Sequence, residues 1–491
     1  MAACAILVAV LIASPPPPEE HARALCLSGD HERALGILDA LLDGPAGKAP
    51  EPARRLELEI LRARCLFELG DYPACEARLK ALLAGPAGPE SPGRAECLAR
   101  LAETLSLRGH HDEAIAALGD ALRLGDAPAL RRQTITVLLR ACRAEAVLPH
   151  ADALLAADPA EPFAHFARGL ALAGGDRLQE AIEELAWGLA LPGAARDARM
   201  ALAQTLGKLD RPAQALAHLA EILAENPFDQ EACYAAAQQL RRLKSPGTAE
   251  AAAGMQRYFL SLQEAFGETS RDPAFEAVGR AAQAALMRAG EWKRISAFDR
   301  ALPEIRRAQA VARGDPEPWL YEADFWAAAG LLAEADLALA RLDARAGGAA
   351  GDAAGQARKL RAALAAAMEK LRAQAGTPLG DARIAVARTA WQDSRPCLEA
   401  LLGAAFAAGE LELADRAARL LLARDPDSVR ALAFLARRAA TGALLPPRLH
   451  YLARLARLLP EDAGVAARLR DARARLRGEE PSAAGSPPPA R

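Results

Sequence analysis

The chain has 491 residues, of which 25% are charged and 52% are hydrophobic, and its 61 basic and 63 acidic side chains give a formal net charge of −2. A charge this close to balance gives no reason to expect a nucleic-acid partner. Aromatic residues make up only 4%, and Ala and Leu supply most of the apolar content, so the composition favours closely packed helices over a large sheet.

The N-terminus contains an apolar run from Ala2 to Ala13. This run is too short to cross a bilayer but has the length of a secretory signal core. We therefore assign residues 1–18 to a signal peptide and Pro-rich linker, with cleavage near Ala13 or Ser14, and predict an exported, periplasmic or cell-envelope protein. No Lys or Arg precedes the run and Pro15 follows it, so a mis-assigned start or a buried first helix in a cytoplasmic protein stays open. No integral membrane span is predicted.

Residues 19–93 predict two helical hairpins, each of which turns at a glycine. The first turns at Gly29, with Ala34 and Leu38 five and nine positions later. The second turns at Gly70. Loops rich in Pro and Gly, which cannot continue a helix, separate these early units. We interpret the region as degenerate copies of the pattern that follows.

Residues 94–265 contain a regular array with a period near 34 residues. In four of the five copies a turn-permissive residue is followed five positions later by Ala and nine positions later by Leu or another small apolar residue; the copy that starts at Cys142 is weaker, reaching Leu154 and ending on Pro159. The turn residues, spaced by 33, 34, 34 and 34 positions, are Gly109, Cys142, Asp176, Asp210 and Lys244. In the last copy the pattern places Ala249 and Ala253 in the buried stripe. A helix-turn-helix repeat of this length is the mark of a solenoid.

The pattern weakens after residue 265. Residues 266–344 predict degenerate copies, with turns opened by Gly290 and Gly330. Residues 345–356 are mostly Gly and Ala, and this composition predicts a flexible linker.

A last array occupies residues 357–477. It begins with a long helix over 357–374 and includes a better copy opened by Gly409. A polar helix over 462–477 is expected to cap the stack, since terminal repeats need a water-facing side. The tail, 478–491, is predicted to be disordered.

This pattern resembles the tetratricopeptide repeat, in which a small residue opens the turn, Ala lies where the two helices touch, and Pro closes the unit. The resemblance implies an all-α fold, an α-solenoid of stacked antiparallel helix hairpins wound as a right-handed superhelix. It also implies a non-enzymatic scaffold that binds a partner protein or extended peptide in its concave groove. The apolar N-terminus would place that scaffold in a bacterial cell-envelope assembly. A regulatory or sensor subunit that binds a short peptide is the alternative.

The first helix of each repeat is expected to line the groove. With the turn residue counted as position fifteen of its unit, the inward positions combine apolar anchors, amides and charges of both signs. These candidate partner-binding residues are Glu96, Arg100, Glu103, Gln133, Phe163, Phe166, Met200, Gln204, Glu231, Tyr234, Gln238 and Arg241. Aromatic and Arg residues dominate interface energetics, so Phe163, Phe166, Tyr234, Arg100 and Arg241 are the strongest candidates. The alternative for Phe163 and Phe166 is packing against a neighbouring unit.

The resemblance also argues against two binding modes. Family members that clamp a chaperone's carboxyl terminus use inward Lys and Asn, and others hold peptide backbones through an Asn ladder. This chain has a single Asn, Asn226, at the predicted end of an outer helix. Neither mode is therefore expected in its usual form.

No catalytic constellation is present in the sequence. It has no phosphate-binding loop, no nucleophile elbow and no H-E-x-x-H helix, so we predict no catalytic residue, no cofactor and no metal. None of the eight cysteines forms a C-x-x-C pair, and most are expected to act as small buried hydrophobes. Cys65 and Cys75, on facing helices of one hairpin, could bridge in an oxidising compartment. That disulfide, the partner and the oligomeric state stay open.

Overall fold

A computed structural model describes residues 17–27, 31–43, 51–88, 93–190, 195–245, 247–266, 281–312, 315–345, 352–441 and 444–477. Within these ranges it contains 25 α-helices, one short 3-10 helix at Trp391–Asp393 and no strand. The all-α fold class of stacked helical hairpins is confirmed. The apolar run at the N-terminus, the turn at Gly29 and the tail 478–491 lie outside the described residues.

The chain divides into two compact units, Met1–Ala198 and Arg199–Arg491. The helices that begin in the first unit are α1 (Pro18–Leu27), α2 (His31–Leu42), α3 (Pro52–Glu68), α4 (Tyr72–Ala84), α5 (Arg94–Leu107), α6 (His111–Leu124), α7 (Pro128–Arg140), α8 (Ala144–Ala157), α9 (Pro162–Gly174), α10 (Leu178–Gly188) and α11 (Ala195–Lys208). The boundary between the units falls inside α11. Consecutive helices from α1 to α10 pack against each other as antiparallel neighbours.

The second unit continues with the same kind of hairpin. Its helices are α12 (Pro212–Glu225), α13 (Gln230–Leu243), α14 (Thr248–Phe266), α15 (Ala281–Arg294), α16 (Phe298–Val311), α17 (Glu317–Ala329), α18 (Leu332–Arg345), α19 (Asp352–Arg372), α20 (Pro378–Arg388), α21 (Arg395–Ala407), α22 (Leu411–Arg424), α23 (Val429–Thr441), α24 (Leu445–Leu458) and α25 (Ala463–Leu476). The long helix α19 begins at Asp352, inside the segment predicted as a linker.

The predicted turn residues adopt left-handed backbone conformations. Gly109 has φ +82°, and the non-glycine residues Cys142, Asp176, Asp210 and Lys244 have φ between 50° and 58°. Such values reverse the chain sharply and are uncommon for residues with a Cβ atom. At the first four positions the next helix begins two residues later. The predicted turn positions of the regular array are therefore confirmed.

The apolar positions of the repeat form the seam between helices. The Ala and Leu that follow each turn at plus five and plus nine are fully buried in most copies. These residues are Ala114, Leu118, Ala181, Leu185, Ala215, Leu219, Ala335, Leu339 and Ala414. Close helix contact at Ala and interdigitation at Leu explain why the period is so strict there.

The prediction for the copy that follows Lys244 is wrong. Ala249 and Ala253 are exposed, while Ala252 and Met255 are buried. The reason is a longer turn, because α14 begins four residues after Lys244 instead of two and Gly247 also has a positive φ of +80°. The added residues rotate α14 about its axis and bring a different face to the seam.

The prediction that Gly290 opens a turn is also wrong. Helix α15 continues through Gly290, and the positive φ of 57° occurs at Ser296. Trp292 lies in the last turn of this helix, and its ring centroid is 4.7 Å from that of Phe266 and 5.6 Å from that of Phe228. Aromatic packing outweighs the roughly 1 kcal/mol that a glycine costs inside a helix.

The second unit doubles back on itself. Helix α24 packs against α12 and α14, α25 packs against the same two helices, and α16 packs against α22. The side chain of Arg473 forms an ion pair of 2.8 Å with Glu221. The predicted C-terminal helix therefore forms, capped by Asp462 through the Val465 amide, but it covers an earlier helix as well as ending the stack.

Two cysteines of the first unit have different neighbours from those suggested by the sequence. The Sγ of Cys65 lies 3.2 Å from the Sγ of Cys26, while Cys75 donates its thiol to the carbonyl oxygen of Ala63 at 3.2 Å. All three are free thiols. The nearest thiol partner of Cys65 thus lies on α1 and not within its own hairpin.

Candidate partner-binding groove

The candidates of the first unit lie on the first helices α5, α7 and α9. Glu96 is exposed, and Arg100 forms a partly exposed ion pair of 3.4 Å with Glu103 one helical turn away. Exposed pairs of this kind contribute about 1 kcal/mol or less, so a partner's charge can replace either member at little cost. Gln133 is engaged within the protein, because its amide donates to the carbonyl oxygen of Ala99 at 2.7 Å.

The two phenylalanines of α9 take part in packing between helices. Phe163 is half-buried against the apolar cluster around Ile135 and Leu138. Phe166 is half-buried and lies so close to Gly188 that a Cβ atom there would be 3.0 Å from the Phe166 Cβ. Packing against neighbouring helices therefore accounts for much of each ring, and only the remaining exposed part of each is open to a partner.

The candidates of the second unit differ in their accessibility. Met200 is 4% exposed and belongs to the core. Gln204 and Glu231 are both exposed, and the Gln204 amide donates to the Glu231 carboxylate at 3.2 Å, which links α11 to α13. Their hydrogen bond places both side chains on the surface formed by consecutive first helices.

Helix α13 presents the most continuous candidate surface. Asp229 caps its start by accepting a hydrogen bond from the Ala232 amide at 2.9 Å, a common way to begin a helix. Tyr234, Gln238 and Arg241 follow at spacings of four and three residues, which puts them on one face, and all three are exposed. Tyr234 is 44% exposed, with its ring 5.3 Å from that of Phe259 on α14.

This row of α13 side chains leads into an open cavity of about 700 Å³ at the turn between α13 and α14. Its basic lining side chains are Arg241, Lys244 and Arg257, and none of the described residues that line it is acidic. The exposed Ala249 and Ala253 form part of its wall, so the cavity results from the altered register of α14.

The chemistry of this cavity favours a negatively charged ligand group. Arg241 makes one hydrogen bond, of 3.2 Å, to the amide oxygen of Gln256, which also lines the cavity. Guanidinium and ammonium groups recognise carboxylates and phosphates through charge-assisted hydrogen bonds. Of these three basic residues, the sequence predicts only Arg241 as a partner-binding residue. The repeat pattern gives Lys244 the role of a turn residue and does not mark Arg257.

The fold and the exposed first-helix surface define a helical-hairpin repeat protein. Residues 55–126 match the family profile of the tetratricopeptide repeat. This segment therefore carries tetratricopeptide repeats, and the predicted resemblance to that family is confirmed over these residues. No helix in the described part of the chain combines the length and hydropathy needed to span a bilayer.

Comparison with curated proteins finds no match. Similar solved structures include MamA from Desulfovibrio magneticus, at 20% identity over 35% of this chain and 94% of that one, with a TM-score of 0.31. YrrB, described as a tetratricopeptide-repeat protein with an unusual peptide-binding site, is 20% identical over 37% of this chain and 96% of its own, with a TM-score of 0.31. A tetratricopeptide-repeat protein from Parabacteroides merdae is 17% identical over 53% and 93%, with a TM-score of 0.36. Similarity at this level carries no inference about ligands.

Proposed function

We propose that the protein is a non-enzymatic interaction scaffold that binds a partner protein or extended peptide along its first helices. Repeat proteins of this kind use extended surfaces built from successive units. The observation that carries the proposal is the exposed row of Tyr234, Gln238 and Arg241, which continues into the basic cavity at the end of α13. It offers an aromatic anchor, an amide and a cluster of cations in line.

The spacing of this row defines the kind of segment it suits. Seven residues separate Tyr234 from Arg241, which corresponds to roughly 10 Å along a helix. An extended peptide covers that distance in about three residues. We therefore propose a partner segment with an apolar or aromatic residue followed, three or so positions later, by one or more acidic residues that enter the cavity.

The packing within the second unit supports this choice of surface. Helices α24 and α25 cover α12 and α14, which are the second helices of their hairpins. Glu231, Tyr234, Gln238 and Arg241 on the first helix α13 stay exposed. The protein's own C-terminal helices thus occupy one side of these hairpins and leave the row on α13 accessible.

The proposal is tested by affinity purification from the native source, followed by titration of the recovered partner. Replacing Arg241 and Lys244 with Glu should weaken binding by at least about 2 kcal/mol, the scale of an interface hot spot, and should reduce its dependence on salt. Arg416→Glu is the matched control, because Arg416 is an exposed arginine on the second helix α22 of the same unit. Equal affinity of the double variant and the control would overturn the proposal.

The alternative, a regulatory subunit that binds a short peptide, draws support from the size of the cavity. A volume of about 700 Å³ lies in the range of pockets that hold small ligands. Thermal shifts with short acidic peptides, in the absence of any protein partner, would favour this alternative. Binding that requires a folded partner protein would exclude it.

We further propose that the protein is exported to the cell envelope. This rests only on the apolar run from Ala2 to Ala13. N-terminal sequencing of the mature protein tests it directly, since cleavage near Ala13 or Ser14 is expected. A mature chain that still begins at Met1 would overturn the proposal without affecting the scaffold role.

A further inference from the structure

Three potential metal ligands meet in the core of the first unit. Cys26 lies near the end of α1, His31 is the first residue of α2, and Cys65 lies on α3. The two sulfur atoms are 3.2 Å apart, and the ligand atoms of all three residues lie within 4.8 Å of one another. Among the described residues this is the one such group. It joins both helices of the first hairpin to the next repeat.

The separations are close to those of a tetrahedral zinc site. With Zn–S near 2.3 Å and Zn–N near 2.0–2.1 Å, neighbouring ligand atoms are expected about 3.8 Å apart for two sulfurs and about 3.6 Å for sulfur and nitrogen. Small side-chain rotations convert the observed arrangement into that geometry. Thiolate and imidazole are the ligands that Zn²⁺ prefers.

The imidazole gives independent support, because its Nδ1 atom is buried without a hydrogen-bond partner. Buried polar atoms are nearly always paired, and an exception calls for an explanation such as an ion. His31 as a whole is partly exposed. That exposure leaves a route for the ion and room for a water molecule as the fourth ligand.

The two thiols lie in apolar surroundings. Cys26 and Cys65 belong to a buried cluster with Ala22, Leu38 and Leu58. Burial, and then the hydrogen bond with Cys26, raise the pKa of the Cys65 thiol above its ordinary range. Binding of a divalent cation would displace the two thiol protons to solvent and satisfy all three ligands.

We propose that Cys26, His31 and Cys65 form a zinc site that ties α1 and α2 to α3. The site goes beyond the scaffold role and is independent of the partner surface on α13. The site is not evident in the sequence, because its ligands do not follow any zinc-ribbon spacing. They are brought together because α1 and α2 both pack against α3.

The test uses the full-length protein, purified under reducing conditions, with zinc ion alone as the probe. We expect one tightly held zinc per chain by elemental analysis, and a sulfur-to-metal charge-transfer band when cobalt replaces it. Cys65→Ala should bind no zinc. His31→Gln should bind zinc at least about 100-fold more weakly, because losing a residue that only supports a metal ligand already costs up to about 100-fold. Cys97→Ala is the matched control, because Cys97 is a buried cysteine of the same unit in a different cluster.

Each outcome of this zinc-binding experiment either supports or overturns the proposed site. Zinc bound by the wild type and the control, lost in Cys65→Ala and weakened in His31→Gln, supports the site. His31→Gln keeps the test informative if Cys65→Ala misfolds, since His31 is partly exposed at the start of a helix. A reduced protein that takes up no zinc overturns the proposal, whether or not Cys26 and Cys65 were first found as a disulfide. Zinc bound equally by all variants overturns it too.

Discussion

The Nδ1 atom of His450 lies 2.8 Å from the carbonyl oxygen of Ala224, although 226 residues separate the two in the chain. The nitrogen donates, because a carbonyl oxygen can only accept. This hydrogen bond joins α24 to the end of α12 and marks the place where the second unit doubles back. Burial is the main cause that lowers the pKa of His450 to about 4, against the opposing effect of the Ala224 hydrogen bond.

His450 should make the second unit sensitive to acid. Between pH 6.5 and 4 the unfolded chain binds a proton that the folded protein excludes, so stability falls as the pH falls through this range. The shift from 6.5 to about 4 sets an upper limit of about 3 kcal/mol. His450→Gln should reduce the difference in unfolding free energy between pH 7 and pH 5, measured by urea denaturation. An unchanged difference would show that His450 does not carry the effect.

Two glycines within helices of the first unit should respond oppositely to a methyl group. A Cβ atom at Gly169 would lie 2.9 Å from the backbone nitrogen of Leu185 and 2.7 Å from its Cγ, whereas at Gly119 the nearest atom is the end of Arg123 at 4.0 Å. Gly169→Ala should destabilise by about 1–3 kcal/mol through overpacking. Gly119→Ala should stabilise by about 0.5–1 kcal/mol through helix propensity. Thermal unfolding of the two variants gives the comparison, and a shift of the same sign in both would contradict it.

A buried ion pair should hold α24 to α25. Arg448 and Asp471 are both largely buried and 3.0 Å apart, while Arg475, which also reaches Asp471 at 3.2 Å, is 46% exposed. Arg448→Ala should cost about 3–5 kcal/mol, because it leaves a buried carboxylate without its main partner. Arg475→Ala should cost about 1 kcal/mol or less. The free energy of unfolding of each variant is measured by chemical denaturation. Similar decreases in the two variants would mean that burial does not distinguish the two arginines.

The repeat could be predicted from the sequence wherever local rules determine structure. Gly109 and Asp210 both lie at a sharp turn whose backbone few residues tolerate, and Leu118 and Leu219 occupy the seam that follows. The prediction failed at Lys244, where two extra residues moved the seam from Ala249 to Ala252. Periodicity does not record how a longer turn rotates the next helix.

Contacts between distant parts of the chain leave no periodic signal. The hydrogen bond between His450 and Ala224 depends on the number of repeats that lie between them. The sequence of a single repeat does not contain that information. Cys26, His31 and Cys65 each resemble ordinary small or polar residues in the sequence. Only their approach in space, with the Cys26 and Cys65 sulfurs 3.2 Å apart, makes them a candidate metal site.

The candidate groove could likewise be predicted only where local helical spacing determines the position of a side chain. The assignment of Tyr234, Gln238 and Arg241 to one exposed face of a first helix follows from helical spacing, and the structure places them so. The burial of Met200 and the packing of Phe166 on Gly188 depend on neighbours that the position within a repeat does not specify.

The measurement that tests the scaffold account most directly is site-specific photo-crosslinking in the native source. A crosslinking residue at Gln238, on the exposed face of α13, is compared with one at Arg416, on the second helix α22; both positions are exposed. We predict that position 238 captures one protein whose linked peptide carries acidic residues close to an apolar one, and that position 416 does not. Capture of that protein at 416 with none at 238 would contradict the account.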